Sequence, residues 1–163
     1  MTVNEYNKCV DTYADGVYRF ILKNIKNEDT AGDIVQDAFA KMWEKVSGIS
    51  YEKSKSYLFT AAYHTMIDRI RKDKRWDTSE DVEEYNRGQE SGYSDLKEIL
   101  DVALERLPEV QRSVLLLRDY EGYSYNEIGE ITGLSEAQVK VYIYRARMTM
   151  KKYLVSMENL IDY

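Results

Sequence analysis

Apolar residues recur along this chain at steps of three and four, and the places where that rhythm stops divide it. From residue 5 to 26, Tyr6, Val10, Tyr13, Val17, Phe20, Ile21 and Ile25 fall on one face and predict a first helix. Asp29 or Thr30 can cap a second helix, whose core face is Val35, Phe39, Met42 and Val46. Gly48 and the segment to Ser56 read as a loop. A third helix follows, with Phe59, Ala62, Met66 and Ile70 inward. After residue 75 the period is lost. It resumes near Ser94 or Asp95 with a helix through Leu107. Pro108 then starts another helix, where its missing N–H costs little, and Gly122 closes that helix as a left-handed cap. No stretch alternates as a strand and no unit repeats. The pattern predicts an all-α chain of two small helical domains, 1–75 and 94–163, joined by a linker over 76–93.

The last part of the pattern is the most specific. In EGYSYNEIGEITGLSEAQVKVYIYRARMTMKKYL, residues 121–154, Ser124 with Glu127 and Ser135 with Gln138 form two capping boxes. Ile128 and Ile131 anchor the first helix, and Thr132-Gly133-Leu134 fits a tight turn in which Gly133 takes a positive φ. The second helix buries Val139, Ile143, Ala146, Met150 and Leu154. At roughly 100° per residue, Lys140, Tyr144, Arg147 and Lys151 make a neighbouring stripe. One buried face and one basic, partly aromatic face is what a major groove accepts from a helix-turn-helix. An ordinary helical hairpin with a solvated basic face fits the same pattern.

Charge changes the picture of the linker. The net charge of −6 looks wrong for a DNA binder. Residues 77–101, however, hold nine acidic residues against Arg87 and Lys97, so this window carries −7 and the rest sums to +1. Arg69, Arg71, Lys72, Lys74 and Arg75 form a basic knot beside it, and distribution matters more than the total. At 44% apolar and 32% charged residues the chain is expected to fold and to be soluble. It lacks a membrane-length apolar run, and its first residues lack the form of a signal peptide, so a cytoplasmic protein is predicted. One cysteine, Cys9, and one histidine, His64, supply neither an internal disulfide nor a zinc cluster, and no cofactor is expected. Cys9 lies in a helical pattern and reads as a small core residue.

Three segments, DTAGDIVQDAFAKMWEKV, YLFTAAYHTMIDRIRKDKR and LPEVQRSVLLLRDYEGYSYNEIGEITGLSEAQVKVYIYRAR, resemble successive signatures of bacterial sigma factors of the extracytoplasmic-function group. The resemblance covers nearly the whole chain apart from the linker. It implies a region 2-like domain that docks on core RNA polymerase and recognises and melts the −10 element. It also implies a region 4-like domain that reads the −35 element of promoter DNA.

Residue by residue, the resemblance implies docking on the polymerase clamp helices through Asp33, Gln36 and Asp37, with Trp43 beside the contact and Phe39 mainly in the core. The loop Ser47–Lys55, with Lys53, Ser54 and Lys55, corresponds to a pocket for a base flipped from the non-template strand. Thr60, His64 and Asp68 share one face at the −10 contact positions, while Arg69, Arg71 and Lys72 are placed for phosphates. His64 stands where an Asn is usual and Tyr63 where an Arg is usual, so base preference does not transfer. The −35 candidates are Ser135, Ala137, Gln138, Lys140, Val141, Tyr144, Arg145 and Arg147. Gln138 and Val141 replace the usual Thr and Ser.

The acidic linker is implied to thread toward the polymerase active-site and RNA-exit channel, and a plain solvated tether is the other reading. The resemblance also implies an anti-sigma factor as partner, with no small-molecule substrate and no insertion into the membrane. The competing reading is a free-standing helix-turn-helix regulator, which needs neither the Asp33/Asp37 face nor an aromatic helix followed by a basic knot. An enzyme is a distant third, because no metal cluster, phosphate-cradling glycine loop or nucleophile–base pair is present.

Overall fold

The computed structural model describes residues 1–76 and 96–161, and its regular structure is helical throughout. The linker expected over 76–93, and a helix start at Ser94 or Asp95, therefore fall almost entirely outside the described residues. Helix α1 runs Val3–Ile25 and opens on a capping box in which Thr2 and Glu5 exchange hydrogen bonds. Cys9, Val17, Phe20 and Ile21 are buried, as the pattern predicts for the cysteine. Val10, expected inward, is exposed. The C-terminal domain covers α1 only from Gly16 and Arg19 onward, beyond Val10, so the buried arc of α1 is narrower at its start.

Helix α2, Glu28–Glu44, starts earlier than expected. Asn27 is the cap in place of Asp29 or Thr30, and its Oδ1 accepts from the Thr30 N–H at 2.9 Å. Its core face is Ala31, Ile34, Ala38, Phe39 and Met42, with Val35 and Val46 only half-buried. The alanines let α2 approach α1 and α3 closely. Two short 3₁₀ turns, Val46–Gly48 and Tyr51–Lys53, occupy the expected loop, and α3 spans Ser54–Trp76. It begins at Ser54 because that side chain is buried and its Oγ donates to the Tyr51 carbonyl at 2.7 Å, bonding the second turn to the start of the helix.

The C-terminal domain opens with α4, Leu96–Glu105, which stops short of the expected Leu107. Leu107 N–H turns back to the Leu104 carbonyl instead. Pro108 is the N-cap of α5, Glu109–Leu115, one position before the first helical residue; its ψ of 149° is extended. The helix then widens into a π-helical turn over Leu116–Tyr120 and ends at Gly122, whose φ of +80° matches the predicted left-handed cap.

Helices α6, Tyr125–Thr132, and α7, Glu136–Ile161, form the helix-turn-helix. Both predicted capping boxes are present, and Gly133 has φ +83°. Val139, Ile143 and Ala146 are buried, while Met150 and Leu154 are half-buried toward the end of the stripe.

Gly129 fixes the crossing of these two helices. A Cβ there would sit 2.8 Å from the Leu134 backbone carbonyl oxygen, which no side-chain rotation relieves. Gly129→Ala is expected to destabilise the C-terminal domain by about 1–3 kcal/mol through overpacking. Chemical denaturation followed by circular dichroism measures it, and an unchanged midpoint would show that the turn can shift freely.

The two domains share one core. Phe20 packs on Phe59 with ring centroids 5.7 Å apart, and Phe59 meets Tyr123 of the C-terminal domain edge-on at 5.5 Å.

Candidate nucleic-acid and polymerase interfaces

The helix-turn-helix presents its second helix outward. Ser135 and Gln138 cap α7 reciprocally: Ser135 Oγ accepts from the Gln138 N–H, and Gln138 Oε1 accepts from the Ser135 N–H. The amide NH₂ of Gln138 stays available to donate to a base. Ala137, Lys140, Val141, Tyr144 and Arg145 are all exposed. Tyr144, at 65% exposed, and Val141, at 44%, are apolar surface that the domain core does not cover.

Arg147, Lys140 and Arg145 differ in commitment. Arg147 pairs with Asp119, and that hydrogen bond holds its guanidinium more firmly protonated than usual. Lys140 lies 3.8 Å from Glu136, one turn away, and over the Tyr125 ring. Arg145 makes no hydrogen bond or ion pair among the described residues.

In the N-terminal domain, Thr60, His64 and Asp68 line one side of α3, with Thr60 partly covered and the other two exposed. The His64 ring stands edge-on to Tyr63 at 5.3 Å. Tyr63 itself is buried, and burial together with the negative charge of Glu109 raises its pKa. The position that carries an Arg in the resembled pattern is therefore an interior one here.

Beside this face lies an open cleft of about 420 Å³ lined by Gly48, Ile49, Ser50, Lys53, Ser56, Tyr57 and Thr60. Lys53 is exposed at its edge, whereas Ser54 is fully buried and faces the Tyr51 carbonyl. Ser54 shapes the loop and, buried as it is, presents no surface to DNA. Lys55 reaches over the Tyr123 ring at 4.7 Å, toward the C-terminal domain. Arg71 and Lys72 are exposed and Arg69 is half-buried, one after another along the last turns of α3. Tyr57 was not singled out from sequence. It lies one turn before Thr60, which is the signal that would have found it.

On α2, Asp33, Gln36 and Asp37 are exposed on one side. Asp37 accepts from Thr65 Oγ1 at 3.3 Å and pairs with Lys41 at 3.2 Å. Trp43 is 48% exposed and stands edge-on to Tyr6 at 5.0 Å, while Phe39 is buried and its carbonyl accepts from the Tyr6 hydroxyl. The fold thus sets an exposed acidic and aromatic strip on one domain and a helix-turn-helix on the other, the architecture of a helix-turn-helix DNA-binding protein.

Comparison with known proteins gives that class its family. The model of sigma-70 region 2 matches residues 9–76, and that of sigma-70 region 4 matches residues 97–150. The RNA polymerase sigma factor SigV of Bacillus subtilis is 33% identical over 146 residues, 88% of this chain and 87% of that protein. The extracytoplasmic-function sigma factor SigM of the same organism is 30% identical over 156 residues, 93% of this chain and 94% of that protein. Among solved structures, the sigma factor RpoE of Bartonella quintana, in complex with the anti-sigma factor NepR, has the same fold. Its TM-score is 0.80 over 93% of this chain and 98% of that one, at 24% identity.

The chain belongs to the sigma-70 family of RNA polymerase sigma factors, in its extracytoplasmic-function group. It binds core RNA polymerase and promoter DNA and directs transcription initiation. A free-standing regulator is not favoured, since the region 2 match accounts for the half of the chain that such a protein would not need. Among the described residues no helix is long and apolar enough to cross a membrane.

Proposed function

We propose that residues 1–75 dock on core polymerase and open the −10 element, that 94–163 read the −35 element, and that 76–93 tether the two. On this reading the chain acts in the cytoplasm with no catalysis of its own, and an anti-sigma factor holds it in reserve, as NepR partners RpoE. The observation that carries the proposal is the cleft at residues 48–60 beside the exposed His64 and Asp68. Extruding a base costs a few kcal/mol, so melting needs a site that stacks the base and bonds its edge. Tyr57 supplies an aromatic wall, Ser50, Ser56 and Thr60 supply hydroxyls, and Lys53 supplies charge at the rim. Arg69, Arg71 and Lys72 continue the path with phosphate contacts.

His64→Ala tests this reading. It is expected to lower run-off transcription on duplex promoters and to lose less on templates already unpaired around −10, because closed-complex contacts through α7 remain. Permanganate reactivity of thymines in the melted region gives the direct measure. Equal opening of duplex DNA by variant and parent would make His64 a surface residue without a role in melting.

A further inference from the structure

The acidic face of α2 and the His64 face of α3 meet along the seam between these two helices, and one carboxylate oxygen lies where they meet. Asp37 Oδ2 pairs with Lys41 Nζ at 3.2 Å and accepts from Thr65 Oγ1 at 3.3 Å. Lys41 Nζ also donates to Thr65 Oγ1 at 3.2 Å, which closes a triangle. Asp37 belongs to the strip that meets polymerase. Thr65 follows His64 directly and stands one turn before Asp68, so the Lys41 ammonium reaches the edge of the −10 face.

Two further cations share that edge. Arg69 and Lys72 follow Thr65 at i+4 and i+7, on one stripe of α3. Lys41, delivered from α2 at the level of Thr65, adds a third charge at the end of the row beside His64. In the free chain Asp37 neutralises that charge. The two side chains are 49% and 47% exposed, and an exposed pair one turn apart on a helix is weak. A basic polymerase surface that takes the Asp37 carboxylate removes the partner of Lys41 and repels its ammonium as well. The flexible four-carbon stem can then swing the ammonium along the Thr65 edge without any backbone movement. A phosphate of the strand lying on that face is the anion it would meet.

We propose that Lys41 is a phosphate contact to the non-template strand at the −10 element, held by Asp37 in the free chain and handed over when the chain docks on core polymerase. Thr65 is its positioning residue, keeping the ammonium at the α3 edge. This rests on the reading that Asp37 docks and that the His64 face takes the −10 strand.

The test uses the full chain, purified core polymerase and a fluorescent single-stranded oligonucleotide carrying the −10 motif of a promoter the chain transcribes. Lys41→Gln removes the charge at an exposed position. Affinity for core polymerase is expected to stay level or to rise by up to about twofold, because Asp37 then carries no competing cation. In the holoenzyme the same variant is expected to bind the oligonucleotide more weakly. The slope of log affinity against log salt should become shallower by about 0.7, the contribution of one phosphate on a single strand. Lys41→Arg keeps the charge and is expected to restore both values. Thr65→Val should weaken oligonucleotide binding with the slope unchanged, since the charge remains and only its aim is lost. In the free chain at low salt, Lys41→Gln should leave the slope as in the parent.

A holoenzyme slope equal to the parent's in Lys41→Gln, or weaker docking of that variant on core polymerase, overturns the phosphate contact. An equal fall of the slope in the free chain overturns the hand-over, and unchanged binding by Thr65→Val overturns the positioning role. If the parent holoenzyme binds the −10 strand no better than a scrambled one, the −10 reading fails and takes the proposal with it. If the parent discriminates while Lys41→Gln keeps the parent's slope, the proposal fails alone.

Discussion

Asp37→Arg is expected to abolish association with core polymerase while leaving the fold intact. The carboxylate sits on an exposed face of α2, with Lys41 one turn away and Thr65 across from it. An exposed i,i+4 pair of this kind contributes only about 0.3–0.5 kcal/mol, so the domain tolerates its loss. A polymerase surface that presents bases, by contrast, would meet a like charge, and such juxtaposition costs several kcal/mol. Co-purification with core enzyme separates the two effects, with the thermal transition of the free chain as control. Undiminished co-purification would place the docking contact elsewhere.

The second large effect is expected at the recognition helix, and the structure ranks its cations. Arg145→Ala should weaken promoter binding by about 1–3 kcal/mol if the guanidinium reads guanine acceptors. Nothing within the described chain competes for that side chain. Lys140→Ala should cost less, because the ammonium leaves Glu136 and the Tyr125 ring to reach DNA. Arg147→Ala should cost least in affinity and more in stability, since Arg147 ties α7 to Asp119. Binding is measured with core enzyme present, across a salt series, because loss of a phosphate contact weakens all sequences alike and flattens the salt slope. An order with Arg147 first and Arg145 last would mean that α7 lies on DNA in another orientation.

Helix order, the two capping boxes and the buried stripe of α7 were legible because each rests on local chemistry: a side chain bonding the backbone three residues on, or a period of 3.6. The same logic failed where packing partners decide the outcome. Val10 satisfies the helical period yet is exposed, because cover of α1 from the C-terminal domain begins only at Gly16 and Arg19. Asn27 displaced Asp29 and Thr30 as cap, a choice set by where the chain leaves α1. Ser54 and Lys55 read alike as loop residues near DNA. One is buried against Tyr51 and the other is drawn to Tyr123 by a domain contact that no local pattern encodes. The interface of Arg19, Lys23 and Lys26 with distant acids was invisible for the same reason: its partners are some eighty to one hundred residues away in sequence. Exposure of the Asp33–Asp37 and Lys140–Arg145 faces was legible, since a polar stripe opposite an apolar one is solvated whatever it later binds.

The most direct test of promoter-specific initiation is run-off transcription by purified core polymerase on a promoter library, with and without the chain. Transcripts from a subset of templates sharing a −35 and a −10 motif at fixed spacing, dependent on the chain and absent with core alone, are the expected result. A chain that shifts DNA by itself and leaves the output of core polymerase unchanged across the library would contradict the account.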